Sequence, residues 1–361
     1  MAQLHLDYAR CVLTTNRQAE CRACADICPT DAIRLDETGL AYAPGLCIGC
    51  TGCLGACPTE AFRLGEFSTE AFVSGFVQSE TNRISCKGDA IPCLAALAPE
   101  YLIGMALEKG GDIVLDTAVC ESCDIAEKLL PQITSAMGTA NYFLEQTGLD
   151  FRIVSGNFEE EERPKKELSR RELFNRVNLK DGLRAKRAFD AKVGEGDDTY
   201  TTLADADLKG GQLRHKHLPF RRSFFINAIR DLPEDCLDFE ASKLPFISAK
   251  RIDKNDCTNC ARCYHVCPTG ALHGEQMKGV IFFDFLHCVA CGSCEAACEP
   301  VCLHREENLA AAHFKEPARE RLATFFMRQC GDCGMPYIND GEPFCPRCRE
   351  MDDEARELVG F

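Results

Sequence analysis

Cysteines fall in tight groups along this chain, 26 of them in 361 residues, most with two or three residues between neighbours. Such spacing offers two thiolates to one metal from a single turn of backbone, whereas disulfide frameworks are typical of short secreted chains. Metal ligation is therefore the expected chemistry. The groups span 11–57, 86–123, 257–302 and 330–348, and only Cys236 stands apart.

The first and third groups repeat one another. Cys21, Cys24, Cys28 and Pro29 are echoed at Cys260, Cys263, Cys267 and Pro268, and the phrases CPTDAI (28–33), CPTEAF (57–62) and CPTGAL (267–272) are near copies. In the third group Cys257, Cys260, Cys263 and Cys267 follow the spacing x2, x2, x3 with a closing proline, and Cys288, Cys291, Cys294 and Cys298 repeat it. Glu299 is inserted between Cys298 and Pro300, which could shift that turn without removing a ligand.

This pattern resembles the bacterial two-cluster ferredoxin. The resemblance implies that three cysteines of one loop hold one 4Fe-4S cluster while the cysteine before proline reaches the neighbouring one. Carried over, Cys257, Cys260, Cys263 and Cys298 hold one cluster, and Cys288, Cys291, Cys294 and Cys267 the other. In the N-terminal copy Cys47, Cys50, Cys53 and Cys57 are complete, but Gln18 stands where a leading thiol is expected. Cys11, with nine residues between it and Cys21, is the replacement, giving Cys11, Cys21, Cys24 and Cys57 for one cluster and Cys47, Cys50, Cys53 and Cys28 for the other. A three-iron cluster is the alternative; Cys11 is preferred because a free thiol beside a reactive cluster invites oxidation.

Between the repeats, residues 82–155 read as alternating elements: an apolar run into Cys86, a helix from 94 to 108, a strand at 112–115, a helix from 124 and a strand at 151–154. That predicts a small parallel α/β layer. Cys86 and Cys93 follow one strand and Cys120 and Cys123 the next, so the four thiols are expected to converge beyond the carboxyl ends of the strands. The pattern resembles the iron-sulfur delta subunit of methylviologen-reducing hydrogenases. Candidate occupants are 2Fe-2S, 4Fe-4S and zinc, in that order. Buried structural cysteines, or a redox-active dithiol at Cys120 and Cys123, are the other readings.

Near the C-terminus Cys330, Cys333, Cys345 and Cys348 form two Cys-x2-Cys knuckles eleven residues apart, the spacing of a zinc ribbon. The segment also resembles rubredoxin, in which iron occupies the same cage. Zinc is preferred because the segment is short and a closed metal site adds folding free energy. Cys236 and Cys302 have no partners by spacing and read as core thiols; His265, His287 and His304 lie near the cysteine groups and could tune them through hydrogen bonds.

The expected class is α+β, with a ferredoxin-like module over 1–67, a small α/β cysteine domain over 68–156, a linker or partner-contact region over 157–248, a second ferredoxin-like module over 249–306, and a helix with a zinc ribbon over 307–361. Within the linker, 159–174 reads as a charged helix and 192–200 as a Gly/Asp-rich stretch. Ser169 to Phe174 looks like a twin-arginine export core, but it lies mid-chain. The N-terminus has no signal pattern and no apolar run reaches the ~18 residues of a membrane span, so a cytoplasmic protein without membrane insertion is expected. A net charge of −15 speaks against general nucleic-acid affinity.

Neither a GxGxxG loop, a P-loop nor a Cys-x3-Cys-x2-Cys triplet occurs. Four 4Fe-4S clusters, a fifth cluster (2Fe-2S or 4Fe-4S) and zinc make a chain of one-electron carriers with no catalytic residues of its own. The expected role is an electron-transfer subunit serving a redox partner such as a hydrogenase, a formate dehydrogenase or a heterodisulfide-reductase-type complex. Two alternatives remain: a reductase with its active site at the middle cysteines, and an assembly or sensor protein working through its ribbon.

Overall fold

The structure, a computed structural model, describes residues 4–36, 39–86, 91–157, 215–233, 236–315 and 319–359. The charged stretch 159–174 and the Gly/Asp-rich stretch 192–200 lie outside the described residues.

The sequence repeat is a repeat of structure. In the first copy β1 (Leu4–Leu6), α1 (Val12–Thr15), α2 (Ala23–Asp26), a hairpin of β2 (Ile33–Asp36) and β3 (Gly39–Tyr42), α3 (Gly52–Ala56) and β4 (Phe62–Leu64) follow in order, and β1 closes on β4 antiparallel. Strands this short cannot bury a core alone. Leu4, Ile33, Leu40, Leu54, Phe62 and the thiols between them make a small core of their own.

Next come α4 (Thr69–Gln78), β5 (Arg83–Ile84), α5 (Pro99–Lys109), β6 (Ile113–Asp116), α6 (Ala126–Gln146) and β7 (Ile153–Gly156). The three strands form a parallel sheet in the order β5-β6-β7, as the alternating pattern requires. The expected helix at 94 starts late: Leu94–Ala96 forms a 3-10 turn, and Ala98, ahead of a proline, is extended. Pro99 then opens α5, and Gly110 at φ +63° ends it.

The described part of the expected linker is core rather than tether. In α7 (Phe220–Ala228) Arg221, Arg222 and Phe225 are buried. A Cβ on Gly104 of α5 would come within 2.4 Å of the Phe224 ring, so only glycine lets the two helices meet. After β8 (Phe239–Glu240), the second copy runs β9 (Lys250–Ile252), α8 (Arg262–His265), β10 (Leu272–Glu275), β11 (Val280–Asp284), α9 (Ser293–Ala296) and β12 (Leu303–Arg305). Here β9 closes on β12 as β1 does on β4. Then β13 (Asn308–Leu309) pairs with β8, α10 (Ala312–Lys315) follows, and β14 (Arg319–Thr324) joins the edge of the β10-β11 hairpin.

One apolar core unites the parallel sheet, α7 and the second copy. At its centre Phe143 of α6 stacks on Phe239 at 5.0 Å and meets Phe225 and Phe314 edge-on at 5.4 and 5.5 Å. The chain ends in the hairpin of β15 (Met327–Gln329) and β16 (Pro336–Ile338), then α11 (Pro346–Val359). Among the described residues no helix is long and apolar enough to cross a membrane.

Candidate iron-sulfur and metal sites

Three cysteine loops share one backbone device. On either side of the second cysteine the chain takes positive φ: Gly49 and Thr51 around Cys50, Asn259 and Ala261 around Cys260, Ala290 and Gly292 around Cys291. Left-handed backbone is costly for residues other than glycine and recurs where successive N–H groups must turn toward one negative centre. The first loop departs from this. Arg22, after Cys21, has φ −124°, and this is the loop whose leading thiol is missing.

A second device is shared by all four proline-flanked cysteines. Asp31, Glu60, Gly270 and Val301, each three residues after Cys28, Cys57, Cys267 or Cys298, sit at φ +53°, +50°, +74° and +53°. The inserted Glu299 therefore leaves the turn intact, and its carboxylate pairs with Arg262 across the loop.

The CPT phrase has a mechanical meaning that sequence reading missed. The threonine hydroxyl returns to the cysteine two residues back: Thr30 to Cys28 at 3.8 Å, Thr59 to Cys57 at 3.6 Å and Thr269 to Cys267 at 3.7 Å. The fourth copy lacks that threonine, and Cys302, expected to be an ordinary core thiol, puts its sulfur 3.5 Å from that of Cys298. The near-identical phrases were the signal for the threonines.

Every sulfur set implied by the resemblance is brought together. Cys11, Cys21, Cys24 and Cys57 line one pocket of about 340 Å³ with Val12, Leu40 and Phe62, while Gln18 is exposed. Cys267, Cys288, Cys291 and Cys294 line another of about 320 Å³ with Lys250 and Phe283. Burial, then the charges of Cys28 and Cys47 against backbone N–H donation, pushes the Cys50 thiol up to about 11. Burial, then the charges of Cys260, Cys257 and Cys298, pushes Cys263 up to about 12. Grouped buried thiols resist ionising unless a positively charged centre joins them. None of the cysteines is in a disulfide.

Of the four middle thiols, Cys86 follows β5, and Cys120 and Cys123 follow β6, at the carboxyl ends of those strands. Cys93 is pushed up to about 12 by burial first, with the charges of Cys86, Cys50 and Cys120 adding, and Cys123 is exposed. Beside them Asp116, at the end of β6, is buried and accepts from the Ser85 hydroxyl at 2.9 Å.

The ribbon sulfurs are packed differently. Those of Cys330, Cys333, Cys345 and Cys348 all lie within 4.8 Å of one another, close to the ~3.8 Å that zinc–sulfur bonds of 2.3 Å give at a tetrahedron's corners. The Cys345 N–H donates to the Cys330 sulfur at 3.2 Å and, with other backbone donors, lowers that thiol to about 6. Among the described residues this is the one set compact enough for a single ion.

Basic groups flank the cysteine loops. The Arg221 guanidinium donates to the carbonyls of Leu54, Gly55 and Cys57 and pairs with Glu60. Lys250, buried in the second pocket, pairs with Glu295, which Arg305 also holds. Of the three histidines singled out, His265 is exposed against the Tyr264 ring, His287 lies 4.0 Å from Asp284, and His304 is half-buried in β12. Cys236 donates to the Pro233 carbonyl at 3.0 Å, away from the sites.

Residues 19–61 and, separately, 249–299 match the 4Fe-4S dicluster domain. The chain carries two 4Fe-4S dicluster domains. It is also similar to the polyferredoxin protein MvhB of Methanothermus fervidus, 28% identical over 105 residues, which cover 25% of this chain and 23% of that protein. The chain thus spans about a quarter of the length of the curated relative it matches. The two dicluster domains and this similarity support a polyferredoxin-like 4Fe-4S protein.

Proposed function

We propose that the chain relays single electrons through four 4Fe-4S clusters and a fifth centre, to or from a catalytic redox partner, in the cytoplasm. The observation that carries this is a pair of pockets, each lined by four of these thiols, in a structure where no cysteine is in a disulfide. When bound, such clusters supply one-electron oxidation and reduction. The protein's part is to hold the thiolates, exclude water and set the local field.

The ligand sets are Cys11, Cys21, Cys24 and Cys57; Cys28, Cys47, Cys50 and Cys53; Cys267, Cys288, Cys291 and Cys294; and Cys257, Cys260, Cys263 and Cys298. The fifth is Cys86, Cys93, Cys120 and Cys123, which would hold 2Fe-2S or 4Fe-4S; among the described residues their sulfurs do not form a compact group as the ribbon's do. Zinc belongs in the ribbon as a structural ion. The similarity to a polyferredoxin supports a place in a redox complex, with a hydrogenase, a formate dehydrogenase or a heterodisulfide-reductase-type assembly as the class of partner.

The test is metal and sulfide analysis of anaerobically purified protein with EPR after dithionite reduction. About 18 to 20 irons, one zinc and coupled cubane signals are expected. Zinc filling the thiol sites would overturn the reading. One observation favours a reductase instead, the exposure of Cys123. Turnover of a small sulfur compound without any partner protein would decide for it.

A further inference from the structure

The five thiol sets do not surround a common centre; each adjoins the next. The middle set meets the first dicluster domain through the 3-10 turn after Cys93. There Gln132 donates to the carbonyls of Gly52 and Ala95 at 3.3 and 2.8 Å, and a Cβ on Gly55 would strike the Ala95 carbonyl oxygen at 2.0 Å. The first domain meets the second at a different place. The Asn16 amide, buried, donates 2.9 Å to the carbonyl of Ser293, between Cys291 and Cys294. Nearby, Ala9, Arg10, Thr15 and Thr59 of the first domain line one pocket with Cys267 and Pro268 of the second.

Within each domain the crossed cysteines hold the two sets side by side. The order is therefore fixed: the middle set, then Cys28/Cys47/Cys50/Cys53, Cys11/Cys21/Cys24/Cys57, Cys267/Cys288/Cys291/Cys294, and last Cys257/Cys260/Cys263/Cys298. Exposure independently agrees. Of the twenty cysteines in these sets, the two that are exposed are Cys123 and Cys260, one in each terminal set.

We propose that the chain is a single unbranched line of five redox centres, with one partner surface at Cys123 and another at Cys260. This deepens the electron-relay reading and rests on it. One electron enters at either end from a reduced protein donor, which is oxidised by one electron. It leaves at the other end to an oxidised protein acceptor, which is reduced by one electron, so the chain returns to its starting state. The boundary at Asn16 and Ser293 is where the line crosses between the two domains. Beside the Cys260 end the Asn259 amide reaches the Met327 sulfur at 3.5 Å, so the ribbon hairpin borders that surface.

EPR of dithionite-reduced full-length protein tests the order. Removing a centre on one side of the crossing, with Cys24→Ser, should change the lineshape and relaxation of the signals from the second domain. The reciprocal Cys291→Ser should change those of the first, so either variant suffices if the other fails to fold. Cys260→Ser, at the far end, should leave first-domain signals as in the wild type. A Cys24→Ser protein that has lost one centre's iron, yet shows second-domain signals as in the wild type, would overturn the order while leaving the relay reading standing. Wild-type protein without iron would overturn both.

Discussion

Cys302 holds its sulfur 3.5 Å from that of Cys298, the place that the Thr269 hydroxyl takes beside Cys267 at 3.7 Å. Two residue types thus serve one role, a weak donor aimed at a ligand sulfur. A donor to a ligand sulfur stabilises the more negative, reduced cluster and raises its potential. Replacing Thr269 with valine keeps the shape and removes the donor. At a net hydrogen-bond worth of about 0.5–1.5 kcal/mol, one potential should fall by roughly 20–60 mV. Redox titration followed by EPR would show it, with iron content unchanged; Cys302→Ala should act in the same direction on the neighbouring cluster.

Cys11 closes a pocket with Cys21, Cys24 and Cys57, while Gln18, in the position where the repeat predicts a thiol, faces solvent. Cys11→Ser should therefore lower the iron content by one to about four atoms, the first if a three-iron cluster survives, and alter a single EPR component. A purified variant with all its iron would show that another group completes this set.

The cysteine spacing and the CPT phrases made these sets legible, because ligands to one centre repeat at fixed intervals. The parallel order of β5, β6 and β7 was legible for the same reason, an alternation of apolar runs. Contacts across long stretches of chain leave no such period. Nothing local announces that Asn16 will meet Ser293, or that Arg221 will cap the carbonyls of Leu54, Gly55 and Cys57. The nine residues of α7 carry two adjacent arginines and read as linker surface; only the carboxylates of Glu60 and Glu100 make their burial affordable.

Glu60 joins α7 to the first dicluster domain, accepting from the Tyr101 hydroxyl at 2.6 Å and the Phe220 N–H at 2.7 Å. Burial alone would raise its carboxyl, but the Arg221 charge and these donors outweigh burial and hold it below its ordinary 4.5. A depressed carboxyl contributes stability that is complete above the ordinary value and lost as the pH falls through the folded one. Docking of α7 should thus weaken on acidification below about pH 4.5. Glu60→Gln should flatten that dependence, and Arg221→Met, by stranding Glu60, should cost about 3–5 kcal/mol. Hydrogen exchange at 54–57 and 220–225 as a function of pH reads both.

Phe143 is fully buried among Phe225, Phe239 and Phe314, which come from three other elements. Phe143→Ala should cost about 3–5 kcal/mol. Because one core serves the parallel sheet and the second dicluster domain, both should loosen together, seen as joint loss of amide protection at 133–144 and 281–286. Loss confined to α6 would mean that the two fold independently.

The ribbon has no comparable core: its buried cluster is Cys330, Tyr337 and Cys345, two of them thiols. Residues 346–358 of α11 include no buried position, so little apolar burial offsets the entropy of ordering this tail. An ion held by the four converging sulfurs would supply the difference, as in small metal-stapled folds. Cys333→Ser or a zinc chelator should therefore release one metal ion and unfold 327–359 alone, leaving the iron content intact. Amide exchange that stays protected across 327–338 after the metal has gone would show that the hairpin stands on packing instead.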